Sequence, residues 1–474
     1  MAISLALPWS PGERAMQTLL HTPPDTDNPT SSFMTPQAAT MLARAPTIAL
    51  GALDADGRPW ATVWGGEPGF AQPLGNGIFG VRAPVDRRFD PVAQALADGK
   101  AEGEVLVVKV EQSLGNCPKY LNSKTIHPAT PHPVLLSSSP TLTPTARALI
   151  AKADLFFISS ANATTHDMDV NHRGGPAGFV RILPSSDPSS PTTLVYPEYS
   201  GNRLYQTLGN LHTTPLAGLC FPDFATGDVL YATGTARIHA GKAAAALLPR
   251  STLAVAVTLT AARLVRRGLP FRGTPAAAGA GNAAAAAAVV KTGTDEDKTL
   301  GMSPYNPPVR LLAAEGNLLS STGKQAQQQE QELTATLRSR DAITPGPASS
   351  IARFTFALSA PAAVARGQWV ALDASEELDA GYSHMRDDDP ASLNDDFVRT
   401  FTVTWADGWE GADHAHGDGD EGVVVRPSTQ FAITVRRHGP VTGLLFTTSE
   451  RAPGLVLAVR GFGGGEFRLE EYFE

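Results

Sequence analysis

Two stretches of this chain repeat the same text. Met41-Leu-Ala-Arg-Ala-Pro-Thr-Ile-Ala-Leu50 parallels Leu149-Ile-Ala-Lys-Ala-Asp-Leu-Phe-Phe-Ile158, and each reads as a helix end running into an apolar strand. Trp64-Gly-Gly-Glu-Pro-Gly-Phe70 parallels Arg173-Gly-Gly-Pro-Ala-Gly-Phe179. Such a repeat restricts the fold: most of the chain is built from two related β-units, packed as two subunits pack in a symmetric dimer. In the first unit Pro36 to Ala43 reads as a helix. Pro46 to Leu53 and Arg58 to Trp64 then form a strand pair about the turn Asp54-Ala-Asp-Gly57, and Glu104 to Val110 is a further strand. Residues 1–35, with Trp9-Ser-Pro-Gly-Glu13 and a Pro/Thr/Asp stretch, read as an arm across this unit. The second unit continues with short strands at 218–221, 228–234 and 235–239 and a longer one at 252–265.

The second unit carries a stretch that the first lacks. Leu194-Val-Tyr196 suits a strand, Ser200-Gly-Asn202 is a turn signal, and Arg203 to Leu211 places apolar residues at 204, 208 and 211, as in a short helix. A strand, a glycine turn and a helix start leave free N–H groups and the positive helix end where an anion can sit. Arg203 at that entry can fork onto phosphate oxygens, and Gln206, Thr207 and Asn210 supply neutral donors. This pattern reads as a site for a phosphate-bearing cofactor.

Four segments carry a more specific likeness: Asn171-His-Arg-Gly-Gly-Pro-Ala-Gly-Phe179, Tyr199-Ser-Gly-Asn-Arg203, Gln206-Thr-Leu-Gly-Asn210 and Gly218-Leu-Cys-Phe-Pro-Asp-Phe-Ala-Thr-Gly227. Together they resemble the pyridoxamine 5′-phosphate oxidase-like family of FMN-binding split barrels, over roughly residues 35–315. The resemblance implies a mainly β fold with some helices, two tandem split β-barrels forming a pseudo-dimer, and FMN at their seam. It points to Asn171, His172, Arg173, Gly174, Gly175, Asn202, Arg203, Gln206, Thr207 and Asn210 as cofactor contacts. Gly115-Asn-Cys-Pro-Lys-Tyr-Leu121 resembles a signature of duplicated members, which adds Asn116, Lys119 and Tyr120 across the seam. The first copy has no counterpart of Gly201-Asn-Arg203, so one FMN per chain is expected, and the first copy walls the ring. The alternative is a first copy that only packs on the second. Arg58, Trp60 and Trp64 read as barrel core more readily than as cofactor contacts.

From residue 348 the texture becomes antiparallel β. Gly367-Gln-Trp-Val370, Arg399-Thr-Phe-Thr402 and Gly439-Pro-Val-Thr442 arrive in order and resemble the FAD-binding β-barrel of the ferredoxin reductase family. That likeness implies a third, smaller antiparallel barrel. In it Arg399 meets flavin phosphate, Phe401 and Thr402 meet the ring and its edge, and Gly439 and Thr442 shape a pyrophosphate turn. No nicotinamide-binding α/β domain follows. The expectation is either a truncated chain or electrons delivered by a separate reductase. The expected domains are 1–130, 131–325 with an alanine-rich insertion at 274–294, a linker at 326–347 whose Gln/Glu-rich start reads as helix or linker, and 348–474.

Length and charge bound the rest. A chain of 474 residues favours two to four domains, and a net charge of −8 argues against a general nucleic-acid binder. Two cysteines, Cys117 and Cys220, are too few for a disulfide framework or a four-thiolate metal site, and they fit a reducing compartment. His414 and His416 stand among Asp413, Asp418, Asp420 and Glu421, but in a Gly/Ala context that reads as a solvated loop. No stretch reaches the ~20 apolar residues of a membrane helix. The reading is a cytoplasmic flavin-dependent oxidoreductase with FMN and FAD, acting on an unidentified small molecule and able to work as a monomer through its pseudo-dimer. A protein that sequesters flavin or tetrapyrrole without turnover is the alternative.

Overall fold

The computed structural model describes residues 7–20, 22, 28–97, 105–115, 119–162, 168–249, 251–275, 302–303, 305–307, 309–315, 333–344, 350–378, 397–409, 427–451 and 454–463. The expectations for Asn116, Cys117, His414 and His416 and for nearly all of the alanine-rich insertion lie outside the described residues. The chain divides into two compact units, one holding residues 1–274 and 307–321, the other holding most of the C-terminal part from 322 onward. It is mainly β with some helices. No described helix is long and apolar enough to cross a membrane.

The first unit begins with helix α1 (Pro11–Leu19) and helix α2 (Pro36–Arg44). Residues 7–20 are therefore not an extended arm on the first half. Ser10 accepts from the Glu13 N–H at 3.2 Å while Glu13 returns a bond to the Ser10 N–H at 2.8 Å, a reciprocal cap that starts a helix. Strands β1 (Thr47–Leu53) and β2 (Pro59–Gly65) form the expected pair. Strands β3 (Ala71–Gly75), β4 (Ile78–Arg82) and β5 (Val105–Lys109) make a separate three-stranded sheet, with helix α3 (Pro91–Ala97) between β4 and β5.

Beyond it come β6 (Lys124–Pro128), β7 (Val134–Ser138), helix α4 (Pro144–Lys152), β8 (Leu155–Ala161), β9 (Met168–Gly174), β10 (Arg181–Ile182) and β11 (Thr193–Pro197). Helix α5 (Gln206–Thr213), β12 (Leu216–Pro222), β13 (Val229–Ala240), helix α6 (Lys242–Leu247), β14 (Leu253–Arg266) and β15 (Phe271–Pro275) complete the unit. Eight of these strands form one sheet in the order β10-β11-β14-β13-β12-β8-β9, with β7 added on β14, while β6 pairs with β15. The two strands expected over 228–239 are one strand, β13. Gly234 stands at a bulge in it, where a side chain would strike the Thr258 carbonyl of β14.

The two repeats pack on each other. Trp60, Ala61 and Val63 of β2 share a buried cluster with Cys220, Tyr231 and Phe271 from the second repeat. Burial of these side chains supplies the apolar drive that holds the halves together. A second cluster, around Phe156, Phe179, Tyr196 and Phe221, lies under α4 and α5 and takes in Met16 and Leu20 from the N-terminal segment.

The second unit contains a closed barrel of six strands in the order β16-β17-β20-β19-β18-β21. These are β16 (Thr334–Ala342), β17 (Ile351–Ala363), β18 (Trp369–Asp373), β19 (Val398–Ala406), β20 (Pro427–Arg436) and β21 (Val456–Gly463). A short helix, α7 (Ser375–Leu378), follows β18, and helix α8 (Gly439–Arg451) connects β20 to β21. The expected linker at 326–347 is corrected here, because β16 lies inside it and pairs with both β17 and β21. Ala335 and Leu337 alternate into the barrel core, which a linker reading of this polar stretch misses.

Candidate functional site

The segment Asn171 to Gly174 is strand, not turn: it is the end of β9, paired along β8. Successive residues of a strand face opposite ways, so Asp169, Asn171 and Arg173 share one face. That face meets α5 and the end of β11. Asn210 donates to Asp169 at 2.8 Å and to Ser160 at 3.2 Å, and Asn171 donates to Thr207 at 3.0 Å. Arg173 pairs with Glu198 through bonds of 2.9 and 2.7 Å, with side chains only 19% and 11% exposed. Burial works against the Arg173 charge, and Glu198 more than offsets it. Asn171, Arg173, Thr207 and Asn210 thus bind each other and their neighbours, fixing α5 on the sheet. His172 projects to the opposite face with Val170, whose side chain packs against Gly51 of β1, so His172 and Arg173 do not converge on one group.

Gly174 and Gly175 are glycines for reasons of close approach. A side chain at Gly174 would strike the Tyr120 carbonyl, and one at Gly175 would come within 2.8 Å of the Phe179 ring and 3.1 Å of the Tyr199 ring. The Tyr120 and Tyr199 rings lie tilted by 39° against each other with centroids 5.0 Å apart. The Tyr120 hydroxyl donates to the Ser200 carbonyl at 2.8 Å, and Lys119 donates to the same oxygen at 3.2 Å. Residues 119 and 120, at the close of the first repeat, therefore clamp the loop that leads into α5.

That loop has an unusual backbone. Arg203 and Tyr205 both adopt left-handed φ, +60° and +59°, which non-glycine residues seldom do. Asn202 spends its side-chain oxygen on the Leu204 N–H at 3.1 Å, closing the turn on itself. Helix α5 then starts with no side-chain cap on its first N–H groups. Gln206 is its first residue and Arg203 lies three residues before it, half-buried. Burial raises the Tyr205 phenol pKa, against the pull of Thr22 and of the Arg203 charge. The hydroxyls of Tyr196 and Tyr199 are buried with no hydrogen-bond partner among the described residues. Orphaned groups of that kind call for a ligand or a water.

In the second unit, Arg399, Phe401 and Thr402 lie on β19. Arg399 donates to its neighbour's carbonyl, Val398, at 3.0 Å; Phe401 packs on the barrel core and Thr402 is exposed. Val403 of β19 faces Ile433 of β20, so the Arg399 end of β19 lies at the barrel end where β20 gives way to α8. Gly439 opens α8 with φ +79° and open space where a side chain would be. The Thr442 hydroxyl donates to the His438 carbonyl and accepts from its N–H, both at 2.6 Å. Its role is to fold the start of α8, leaving backbone N–H groups to meet any anion there.

No protein-family profile matches this chain, and no curated protein matches it. Among solved structures it is similar to HupZ of Group A Streptococcus, at 16% identity and a TM-score of 0.20, covering 26% of this chain and 91% of that one. A histidine-to-alanine variant of HupZ matches at the same identity and score, covering 25% of this chain and 96% of that one. At that score the likeness carries no argument.

Sequence reading did not single out Asp169, Glu198 or Ser200 as partners. Asp169, Asn171 and Arg173 at alternate positions are a signal of one polar strand face, available once the segment is read as strand.

Proposed function

We propose that the chain is a flavin-dependent oxidoreductase of the cytoplasm, built on two tandem split barrels, with FMN in the first unit and FAD in the C-terminal barrel. The observation that carries the FMN reading is the loop from Ser200 to Tyr205. Two left-handed non-glycine residues cost free energy, and such strain concentrates at functional sites. Here it sets Arg203 beside the uncapped start of α5, where a cation and free N–H groups suit a phosphate tail.

The residues present fit such a tail. Arg203 and the first-turn N–H groups of α5 would hold it, and Lys119 and Tyr120 would fix the loop. Bound FMN would supply hydride or electron transfer, while the chain's residues orient the ring and exclude water. Arg399 and the start of α8 would hold FAD, and a separate reductase would deliver electrons for an unidentified small-molecule substrate.

Chromatography of flavin released by heat, from protein first incubated with FMN and FAD and then desalted, tests the reading. FMN with FAD supports it in full, and FMN alone removes the C-terminal assignment. A colourless protein refutes both sites, and a Soret band in the purified protein points to a tetrapyrrole carrier instead.

A further inference from the structure

The far end of β12 gathers arginines. The turn between β12 and β13 meets the connection from β14 to β15: Leu269 donates its N–H to the Gly227 carbonyl at 3.1 Å, and Arg267 donates its N–H to Asp228 at 2.9 Å. Between them opens a cleft of about 530 Å³, bordered by His132, Thr226, Asp228, Arg266, Arg267 and Arg272. Three arginines and one carboxylate line it, in a chain whose net charge is −8.

Two of these arginines are tied in place by hydrogen bonds, Arg272 through its side chain and Arg267 through its backbone. Arg272 fastens one nitrogen to the carbonyls of Leu269, at 3.1 Å, and Phe271, at 2.6 Å, and its other nitrogens make no hydrogen bond among the described residues. Its guanidinium fills the space beside Gly227, where any side chain would displace it. Arg267 takes a left-handed φ of +49°, with its N–H on Asp228 and its carbonyl accepting from the His132 N–H at 2.9 Å. The side chains of Arg266 and Arg267 have no partner among the described residues, and both are exposed. Burial and the nearby Arg267 charge together lower the Arg272 pKa, against the pull of Asp228 and Asp223.

We propose that this cleft binds a phosphate dianion, free or as a small phosphate monoester. Planar guanidinium forks match tetrahedral oxyanions, and several around one cleft favour a dianion over a single carboxylate. The volume suits a small ligand, and the net charge of −8 disfavours a long polyanion. None of these residues belongs to β9, α5 or the loop at 200–205, so this site is independent of the flavin reading.

Calorimetric titration of the full chain with inorganic phosphate and with glycerol 3-phosphate, at constant ionic strength in chloride, tests it. Saturable one-to-one binding is expected, weakened at least tenfold by Arg267→Ala and by Arg266→Glu. Both residues are exposed, so their replacement leaves the fold and the flavin content intact. Tighter binding of the monoester identifies an organic phosphate as the ligand, and equal binding identifies free phosphate. No saturable binding above the chloride background overturns the proposal. So does affinity that survives both substitutions, or that is lost instead in Arg203→Ala.

Discussion

Gly12 of α1 and Gly209 of α5 meet backbone to backbone, with the space for a side chain at Gly12 taken by the Gly209 carbonyl. A side chain at Gly209 would come within 2.7 Å of the Glu13 N–H nitrogen. The N-terminal helix therefore presses α5 onto the sheet from outside, while Asn171 and Asp169 hold it from within.

Gly209→Ala forces the two helices apart. Overpacking at such a contact costs about 1–3 kcal/mol. The expected outcome is a lower denaturant midpoint with an unchanged slope, together with weaker FMN retention; an unaltered midpoint would contradict the tight crossing.

Arg203→Ala removes one charge-assisted contact to phosphate. A loss of roughly 1.5–3 kcal/mol corresponds to about a tenfold to hundredfold weaker FMN affinity. Fluorescence titration of stripped protein with FMN reads this directly, and unchanged affinity would withdraw Arg203 from the site.

The Arg173–Glu198 pair is mostly buried, so removing one partner leaves the other uncompensated. Glu198→Ala is expected to destabilise the first unit by roughly 3–5 kcal/mol. A double change to Arg173→Met with Glu198→Leu should recover much of that loss in thermal unfolding. If the single and double variants are equally unstable, the pair does not act as a unit.

Asp223 supplies a pH dependence with a defined sign. Burial raises its pKa, but bonds from Lys152 and Thr226 and the Lys152 charge outweigh it, so the folded pKa is depressed. A depressed carboxylate stabilises the fold above the ordinary value of about 3.9 and loses that contribution as pH falls through the lower folded value. Wild type should exceed Asp223→Asn in stability at pH 7, and the two curves should converge below pH ~4. A constant gap across that range would assign the effect to packing.

The barrel boundary is testable by truncation. A fragment from residue 322 to the end retains β16 and should unfold cooperatively, whereas one starting at 348 lacks the strand between β17 and β21 and should remain unfolded by circular dichroism. Equal folding of the two would place β16 outside the barrel's stable core.

Local patterns made much of the fold readable. The strand pair about Asp54–Gly57, the helix from Pro36 and the runs at 155–161 and 253–266 carry their own periodicity and turn residues. The Ser10–Glu13 box with Pro11 spells a helix start just as plainly, yet the Pro/Thr/Asp text after it draws the eye to an arm. Glutamine-rich composition hides the alternation of Ala335 and Leu337 in the same way. What no local pattern holds is partnership at a distance. Glu198 lies 25 residues from Arg173, and only the folded sheet pairs an arginine read as a cofactor contact with that internal carboxylate.

The double grip of Lys119 and Tyr120 on Ser200 joins residues 81 and 80 positions apart in the chain. The loop before α5 is thereby geared to the tail of the first repeat: it cannot swing outward without breaking two bonds donated from there. Admission of any guest at that loop would register as faster amide exchange between residues 119 and 124, well before the sheet itself gives way.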